Sequence, residues 1–141
     1  MNRQTFTVYG EPRGKGRPRF HRHAYTDKRT EEYEAQVKLM WRRGKFEKLK
    51  RIPTAVVIDA YFSVPKSLPK KRRAEMFGSL CLKRPDGDNI AKIILDALNK
   101  LAYEDDAQIS TLCVTKRYVR NDDEEPRVTV AILGGRHDGS D

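Results

Sequence analysis

The sequence has few cysteines and no long apolar run. Cys81 and Cys113 are its only two cysteines, and they stand far apart outside any CxxC pair. Their spacing argues against a zinc site and against a disulfide framework, and it fits a reducing compartment. No stretch is apolar enough to span a bilayer, and the N-terminal residues contain no apolar segment of signal-peptide length. From these absences we expect a cytoplasmic protein that has no membrane partner and uses no nucleotide cofactor.

Basic residues outnumber acidic ones over most of the chain. Its 141 residues carry a formal net charge of +9, and the sequence pI is about 9.7. This balance attracts polyanions, nucleic acid first among them, although basic composition alone is equally compatible with an ordinary soluble protein. A hydrophobic fraction of 38% is low but sufficient for one core. We therefore expect one compact domain that acts at the nucleoid.

Apolar periodicity predicts a series of strands and helices. Strands are predicted at residues 4–9, 54–64, 107–119 and 127–133. Helices are predicted from Asp27 to about Glu47 and from Asp88 to Leu101, with a short basic helix between them. A hairpin-like turn is predicted at 121–126. This order predicts an α+β fold with a small mixed β-sheet flanked by helices, as a single domain over residues 1–133 that ends in a flexible C-terminal tail, 134–141.

The acidic residues of the second half are concentrated in one segment. Between Asp86 and Asp106 there are six acids and two bases, a net charge of −4, so the rest of the chain carries +13. Anionic DNA avoids such an island unless a divalent cation neutralises the carboxylates and attracts phosphate. The segment therefore indicates a metal site in a protein that binds nucleic acid.

Helix geometry places part of this island on one surface. Asp88, Lys92 and Asp96 follow one another at intervals of four residues, so they share the face opposite the apolar stripe. Asp105 and Asp106 follow the helix, about 20 Å from Asp88 unless the next strand runs back or a second chain supplies them. Taken singly, these residues are equally well interpreted as a helix cap, a surface ion pair and a turn. Their occurrence together favours the metal site.

Two basic clusters lie before this segment in the chain. The first belongs to the glycine- and proline-rich stretch from Glu11 to Phe20, whose glycines let backbone amides approach phosphate. The second lies between Lys66 and Arg73, where a solvated helix face is the ordinary alternative. Clusters of this kind bind the phosphate backbone without reading bases. The predicted DNA-binding residues are Arg13, Lys15, Arg17, Arg19, Lys70, Lys71, Arg72 and Arg73.

One long motif resembles a known family. Residues 84–99 read Arg-Pro-Asp-Gly-Asp-Asn-Ile-Ala-Lys-Ile-Ile-Leu-Asp-Ala-Leu-Asn, and residues 103–109 read Tyr-Glu-Asp-Asp-Ala-Gln-Ile. They resemble the pattern P-D-x-D-N-x-x-K-x-x-x-D-A-L, followed by D-D-x-Q, of the RusA family of Holliday junction resolvases, which are common in prophages. The Gly-Lys-Gly-Arg-Pro-Arg segment at 14–19 and residues 65–72 also resemble one branch of that family.

The resemblance implies a homodimer that binds four-way DNA junctions and nicks two strands symmetrically with Mg²⁺ or Mn²⁺, in recombination and repair. It implies that Asp86, Asp88 and Asp106 are catalytic, metal-binding carboxylates, that Lys92 is the essential lysine, and that Asp105 is an additional candidate. Two features depart from the family. Gly87 stands where a bulky apolar residue is usual, and the Gly-Lys-Gly loop replaces the usual Pro-Pro-Ser-Asn-like motif, so DNA contacts of that motif do not transfer.

Two other functions remain open from the sequence. The first is a metal-dependent nuclease for other branched DNA, such as flaps or replication forks. The second is a non-catalytic basic protein that binds junctions, in which the acids serve only as caps and turns. Cleavage assays with a panel of branched DNA and with an Asp88→Asn variant separate these functions.

Overall fold

Segments of alternating polar and apolar residues form the strands of the fold. The computed structural model describes residues 3–16, 19–20, 24–25 and 27–135. Four strands form one sheet: β1 (Arg3–Tyr9), β4 (Thr54–Phe62), β5 (Ile109–Tyr118) and β6 (Arg127–Gly134). Two short strands, β2 (Arg19–Phe20) and β3 (Ala24–Tyr25), pair antiparallel and were not predicted. The four long predicted strands are thereby confirmed, with ends shifted by a few residues.

Three helices connect or precede these strands. They are α1 (Lys28–Arg43), α2 (Lys70–Met76) and α3 (Gly87–Leu98). The first helix ends earlier than predicted because the chain turns at Gly44, where the Phe46 ring packs back 4.9 Å from the Trp41 ring. The third ends before Lys100, whose φ of 65° is incompatible with a continuing helix.

The sheet is mixed, and its strand order differs from the chain order. Its order is β1-β6-β4-β5, with β4 and β5 parallel and every other neighbouring pair antiparallel. The crossover from β4 to β5 contains α2 and α3. A turn is present at 121–126, where the Asn121 side chain accepts the N–H groups of Asp123 and Glu124. The predicted hairpin is wrong, because β5 and β6 lie on opposite sides of β4 and are not paired with each other. The connection instead passes the end of β4.

Helices α1 and α3 pack against one face of the sheet. The predicted apolar stripes of both helices are buried, including Val37 and Trp41 on α1 and Ile93 and Ile94 on α3. They meet the inward residues of β4 and β6, such as Ile58, in one hydrophobic cluster. The α+β prediction of a small mixed sheet with flanking helices is confirmed. Packing of α3 on this face leaves its polar face outside.

The end of the described chain is part of the sheet. Gly134 is the last residue of β6, and the Gly135 N–H donates to the Pro53 carbonyl at 2.6 Å. The remainder of the predicted tail, residues 136–141, lies outside the described residues. None of the described helices is both long enough and apolar enough to cross a membrane.

Candidate active site

Two carboxylates stand at the start of α3. Asp86 occupies the N-cap position in an extended conformation, and Asp88 lies in the first turn. The helix therefore begins one residue before the expected Asp88, and the Asp86 side chain makes no capping hydrogen bond. Asp88 Oδ1 accepts only the N–H of Asn89, at 2.9 Å, among the described groups. Both carboxylates are exposed, and the partial positive charge of the helix N-terminus favours them there.

The Gly-Lys-Gly loop packs directly against this helix start. The Lys15 N–H donates to the Asn89 carbonyl at 2.9 Å. A Cβ on Gly14 would lie 2.8 Å from Pro85 Cβ and 2.9 Å from Asn89 Cβ, so only glycine fits against the motif. Gly14, Lys15, Asp86 and Asn89 consequently line one cleft together with Arg84.

Asp105 and Asp106 belong to a tight turn that precedes β5. A short 3₁₀ helix spans Asp106–Gln108, and Asp105 caps it by accepting the Ala107 N–H at 2.9 Å. The buried Gln108 side chain accepts the N–H of Asp105 at 3.1 Å and donates to the Lys50 carbonyl at 2.7 Å. Asp105 thus serves as a cap within the turn, while the Asp106 carboxylate is exposed.

Tyr103 links this turn to α3. Its hydroxyl donates to the Leu95 carbonyl at 2.7 Å and lies 3.4 Å from Asp106 Oδ1. Burial and the neighbouring Asp106 carboxylate raise the pKa of Tyr103, so this phenol remains protonated and able to donate. The chain after α3 has therefore turned back, and Asp106 lies beside a later turn of the helix.

The three predicted metal ligands do not form one cluster within this chain. Leu95 follows Asp88 by seven residues, which is about 10 Å along a helix axis. Among the described residues, no group of three or more histidine, cysteine, aspartate or glutamate side chains is placed to hold one metal ion. Asp86 and Asp88 both stand at the start of α3, whereas Asp106 lies farther along the helix, near Leu95.

Lys92 is connected to a network of ion pairs. Its ammonium is 3.6 Å from Asp96 Oδ2, and its side chain is 62% exposed. The same Asp96 oxygen lies 3.1 Å from Lys15 Nζ, which is also 2.7 Å from Glu34 Oε2 on α1. The expected surface pair of Lys92 and Asp96 is present, and it is extended by two further residues.

The predicted DNA-binding residues differ in how accessible they are. Arg13, Lys70, Lys71 and Arg72 are exposed. The Lys15 ammonium is already paired with two carboxylates, and the Arg73 guanidinium binds Asp122 and the backbone carbonyls of Val64 and Pro65. Arg17 and the side chain of Arg19 lie outside the described part of the structure.

Sequence reasoning missed the polar residues that hold the site in place. Tyr103 and Gln108 are both buried, and each hydrogen-bonds groups that are distant in sequence or in another element. The sequence does mark Gln108 as a candidate, since it is the glutamine of the D-D-x-Q pattern. Nothing in the sequence marks Glu34, because its partner Lys15 is separated from it by a loop and by the start of α1.

Comparisons with known proteins identify similar sequences that extend over nearly the whole chain. A family model described as "Endodeoxyribonuclease RusA" matches residues 9–133, a span that includes the start of α3 and the turn that carries Asp106. A protein of Bacillus subtilis (strain 168), described as "Uncharacterized protein YqaN", is 36% identical over 136 residues, which covers 90% of this chain and 93% of the relative. The matched span includes every residue of the candidate site.

Proposed function

Because the chain belongs to the RusA family of endodeoxyribonucleases, we propose that it resolves four-way DNA junctions by paired, symmetric nicks with Mg²⁺ or Mn²⁺. The observation that carries this proposal is the pair of exposed carboxylates, Asp86 and Asp88, at the start of α3. They stand in a chain whose formal net charge is +9. The protein would act on DNA in the cytoplasm, at the nucleoid.

The donor atoms at the start of α3 fit a hard divalent cation. Mg²⁺ and Mn²⁺ prefer carboxylate oxygens and water, and they usually take one or two protein carboxylates beside the substrate phosphate. Asp86 and Asp88 form no ion pair with any other described residue, so both remain available as ligands. A cation held there supplies an activated water and neutralises charge that develops on the phosphate.

Lys92 and the exposed basic residues complete the proposed site. Lys92 lies one helical turn after Asp88 on the same outer face, where its ammonium contacts and orients a DNA phosphate. Lys70, Lys71 and Arg72 on α2 and Arg13 in the loop supply affinity for the backbone through release of counterions. These residues bind the junction without specifying its sequence.

The third carboxylate, Asp106, can come from the same chain or from a second copy of it. Asp106 of the same chain reaches the start of α3 only if its turn moves along the helix, and the Tyr103 and Gln108 hydrogen bonds oppose such a movement. In a homodimer, Asp106 of a second copy is not subject to that constraint. The separation within one chain therefore supports completion of the site across the dimer.

The first test removes one metal ligand without changing its shape. Asp88→Asn keeps the size of the side chain but removes the charge that holds the cation, so junction cleavage should fall at least about 10²-fold while binding is retained. Cleavage and binding are measured with labelled four-way junctions, flaps, forks and duplexes, with Mg²⁺, Mn²⁺ or EDTA. Asp123→Asn, an exposed aspartate in the loop before β6, is the matched control.

Three outcomes would contradict the proposal. Equal cleavage by wild type and the Asp88→Asn variant removes the assigned role of Asp88. Faster cleavage of flaps or forks than of four-way junctions identifies a nuclease for other branched DNA. Junction binding without cleavage by the wild type, with either metal, identifies a non-catalytic binding protein.

A second test asks which copy provides Asp106. Asp88→Asn and Asp106→Asn variants, each inactive alone, are mixed under conditions that exchange protomers. If the carboxylates of one site come from two protomers, each mixed dimer contains one intact site, and nicking of one strand returns. If they come from one protomer, both sites remain broken, and the mixture stays as inactive as its components.

A further inference from the structure

Lys15 joins three parts of the fold. Its backbone belongs to the segment between β1 and β2, and its ammonium contacts Glu34 of α1 at 2.7 Å and Asp96 of α3 at 3.1 Å. Only 19% of its side chain is exposed. Burial lowers the pKa of Lys15, but the hydrogen bonds to Glu34 and Asp96 outweigh that effect and raise the pKa, so the ammonium remains charged. This lysine is a partly buried cation, paired with two carboxylates beside the candidate site.

Asp96 serves two lysines with one oxygen. Its Oδ2 atom lies 3.1 Å from Lys15 and 3.6 Å from Lys92. Together with Glu34, the four side chains carry two positive and two negative charges. If the Lys15 charge were removed, Lys92 would be the one described cation left in an ion pair with Asp96, and it would be drawn towards that carboxylate.

We propose that Lys15 is a positioning residue: by neutralising part of the Asp96 charge, it weakens the ion pair between Asp96 and Lys92, so that the Lys92 ammonium can contact a DNA phosphate beside Asp86 and Asp88. This inference rests on the proposed nuclease function. It assigns to the Gly-Lys-Gly loop a part in the reaction through Lys92, in place of the direct DNA contact that the sequence predicts for Lys15.

The loop is held in place without the Lys15 ammonium. The backbone N–H of Lys15 bonds to the Asn89 carbonyl, and the Gly16 N–H bonds to Thr30 Oγ1 at 3.1 Å. The glycine at 14 packs against Pro85 and Asn89. Removal of the side-chain charge therefore changes the electrostatics around Lys92 while the backbone attachment of the loop remains.

A positioning role and a structural role predict different results for two single variants. Lys15→Met and Glu34→Gln both break the ion pair between the loop and α1, so a structural role predicts similar losses. A positioning role predicts opposite effects. In Lys15→Met, Lys92 is the one remaining partner of Asp96, so the ion pair between them becomes stronger. In Glu34→Gln, Lys15 pairs with Asp96 alone, so the pull of Asp96 on Lys92 becomes weaker.

The experiment measures single-turnover cleavage of a four-way junction at saturating enzyme, junction affinity in EDTA, and thermal stability. Lys15→Met should slow cleavage by about 10- to 100-fold, the size of effect that misplacement of a catalytic group produces, with affinity nearly unchanged. Glu34→Gln should cut no more slowly than wild type. Adding Asp96→Asn to Lys15→Met should restore most of the cleavage rate, because the carboxylate that draws Lys92 away from the DNA phosphate has been removed.

The control is Lys48→Met, which removes one lysine from a more exposed ion pair with Glu104 and should leave cleavage unchanged. The inference is overturned if Lys15→Met cuts at the wild-type rate, if Glu34→Gln is slowed as much as Lys15→Met, or if Asp96→Asn brings no recovery. If Lys15→Met does not fold, slower cleavage by Glu34→Gln than by wild type overturns the inference by itself. If the wild type does not cleave, the proposed nuclease function is wrong. If the wild type cleaves and Lys15→Met cleaves at the same rate, only the role of Lys15 is wrong.

Discussion

Gly87 lies between the two candidate metal ligands at the start of α3. A Cβ at this position would lie 3.7 Å from Val114 Cγ1 and 4.0 Å from Lys116 Cδ, which are ordinary contact distances. As the first residue of the helix, it also needs no backbone conformation that favours glycine. A Cβ at this position therefore meets β5 without a steric conflict.

Replacement of this glycine should stabilise the protein. Gly87→Ala should raise the free energy of unfolding by about 0.4–1 kcal/mol, because alanine has less conformational entropy to lose on folding. Urea denaturation measures the change. Gly14→Ala is the opposing control and should lower stability, since its Cβ would lie 2.8 Å from Pro85 Cβ. A Gly87→Ala variant less stable than wild type would contradict the contacts described for this position.

At the scale of elements, the turn before β5 is fixed by one amide. The Gln108 side chain accepts the N–H groups of Glu104 and Asp105 and donates to the Lys50 carbonyl and to Thr54 Oγ1. It thereby ties the turn to the start of β4. This explains a glutamine two residues after Asp106: it holds the backbone that presents the carboxylate.

Loss of this amide should affect both stability and activity. Gln108→Leu leaves the N–H groups of Glu104 and Asp105 without their acceptor, which should cost about 1–3 kcal/mol of unfolding free energy. Cleavage should fall by more than the unfolded fraction explains, because the Asp106 turn is released. Denaturation and single-turnover cleavage are compared with Gln36→Leu, a change at an exposed position of α1. Wild-type stability in the Gln108 variant would show that the amide does not hold the turn.

The elements were predictable from the sequence to different degrees. The stripe that includes Ile90, Ile93 and Ile94 predicts α3 and its buried face, because helical periodicity is a local property. The hairpin at 121–126 was wrong because strand partners are chosen by distant segments, and β6 pairs with β4 and β1 instead of β5. The network of Lys15 was missed for the same reason, since its carboxylates come from two helices.

At the scale of the whole molecule, charges of opposite sign are separated along the chain. The segment from Asp86 to Asp106 is acidic, whereas Lys70, Lys71 and Arg72 form an exposed basic group on α2. Arg73 of the same helix binds Asp122 and two backbone carbonyls, so it holds α2 in place. The helix therefore leaves three cations exposed and uses the fourth for its own attachment.

Salt dependence should report these three cations. Combined replacement of Lys70, Lys71 and Arg72 by glutamine should reduce the slope of log affinity against log salt by about 2–3, since each phosphate contact contributes roughly 0.9. Junction binding in EDTA over a series of KCl concentrations measures the slope. A variant with Arg42, Arg43 and Arg51 replaced by glutamine loses the same net charge elsewhere. Equal slopes for the two variants would show that net charge, and not the α2 surface, determines binding.

The position of β6 has a consequence for how the protein is made. β6 is the last strand of the sheet in sequence, yet it lies between β1 and β4, and β1 pairs with no other strand of the described sheet. Until residues 127–134 have been synthesised, β1 has no partner and β4 has one open edge. β1 can therefore join the sheet only after β6 has been synthesised. A nascent chain truncated before Arg127 exposes unpaired strands that favour aggregation.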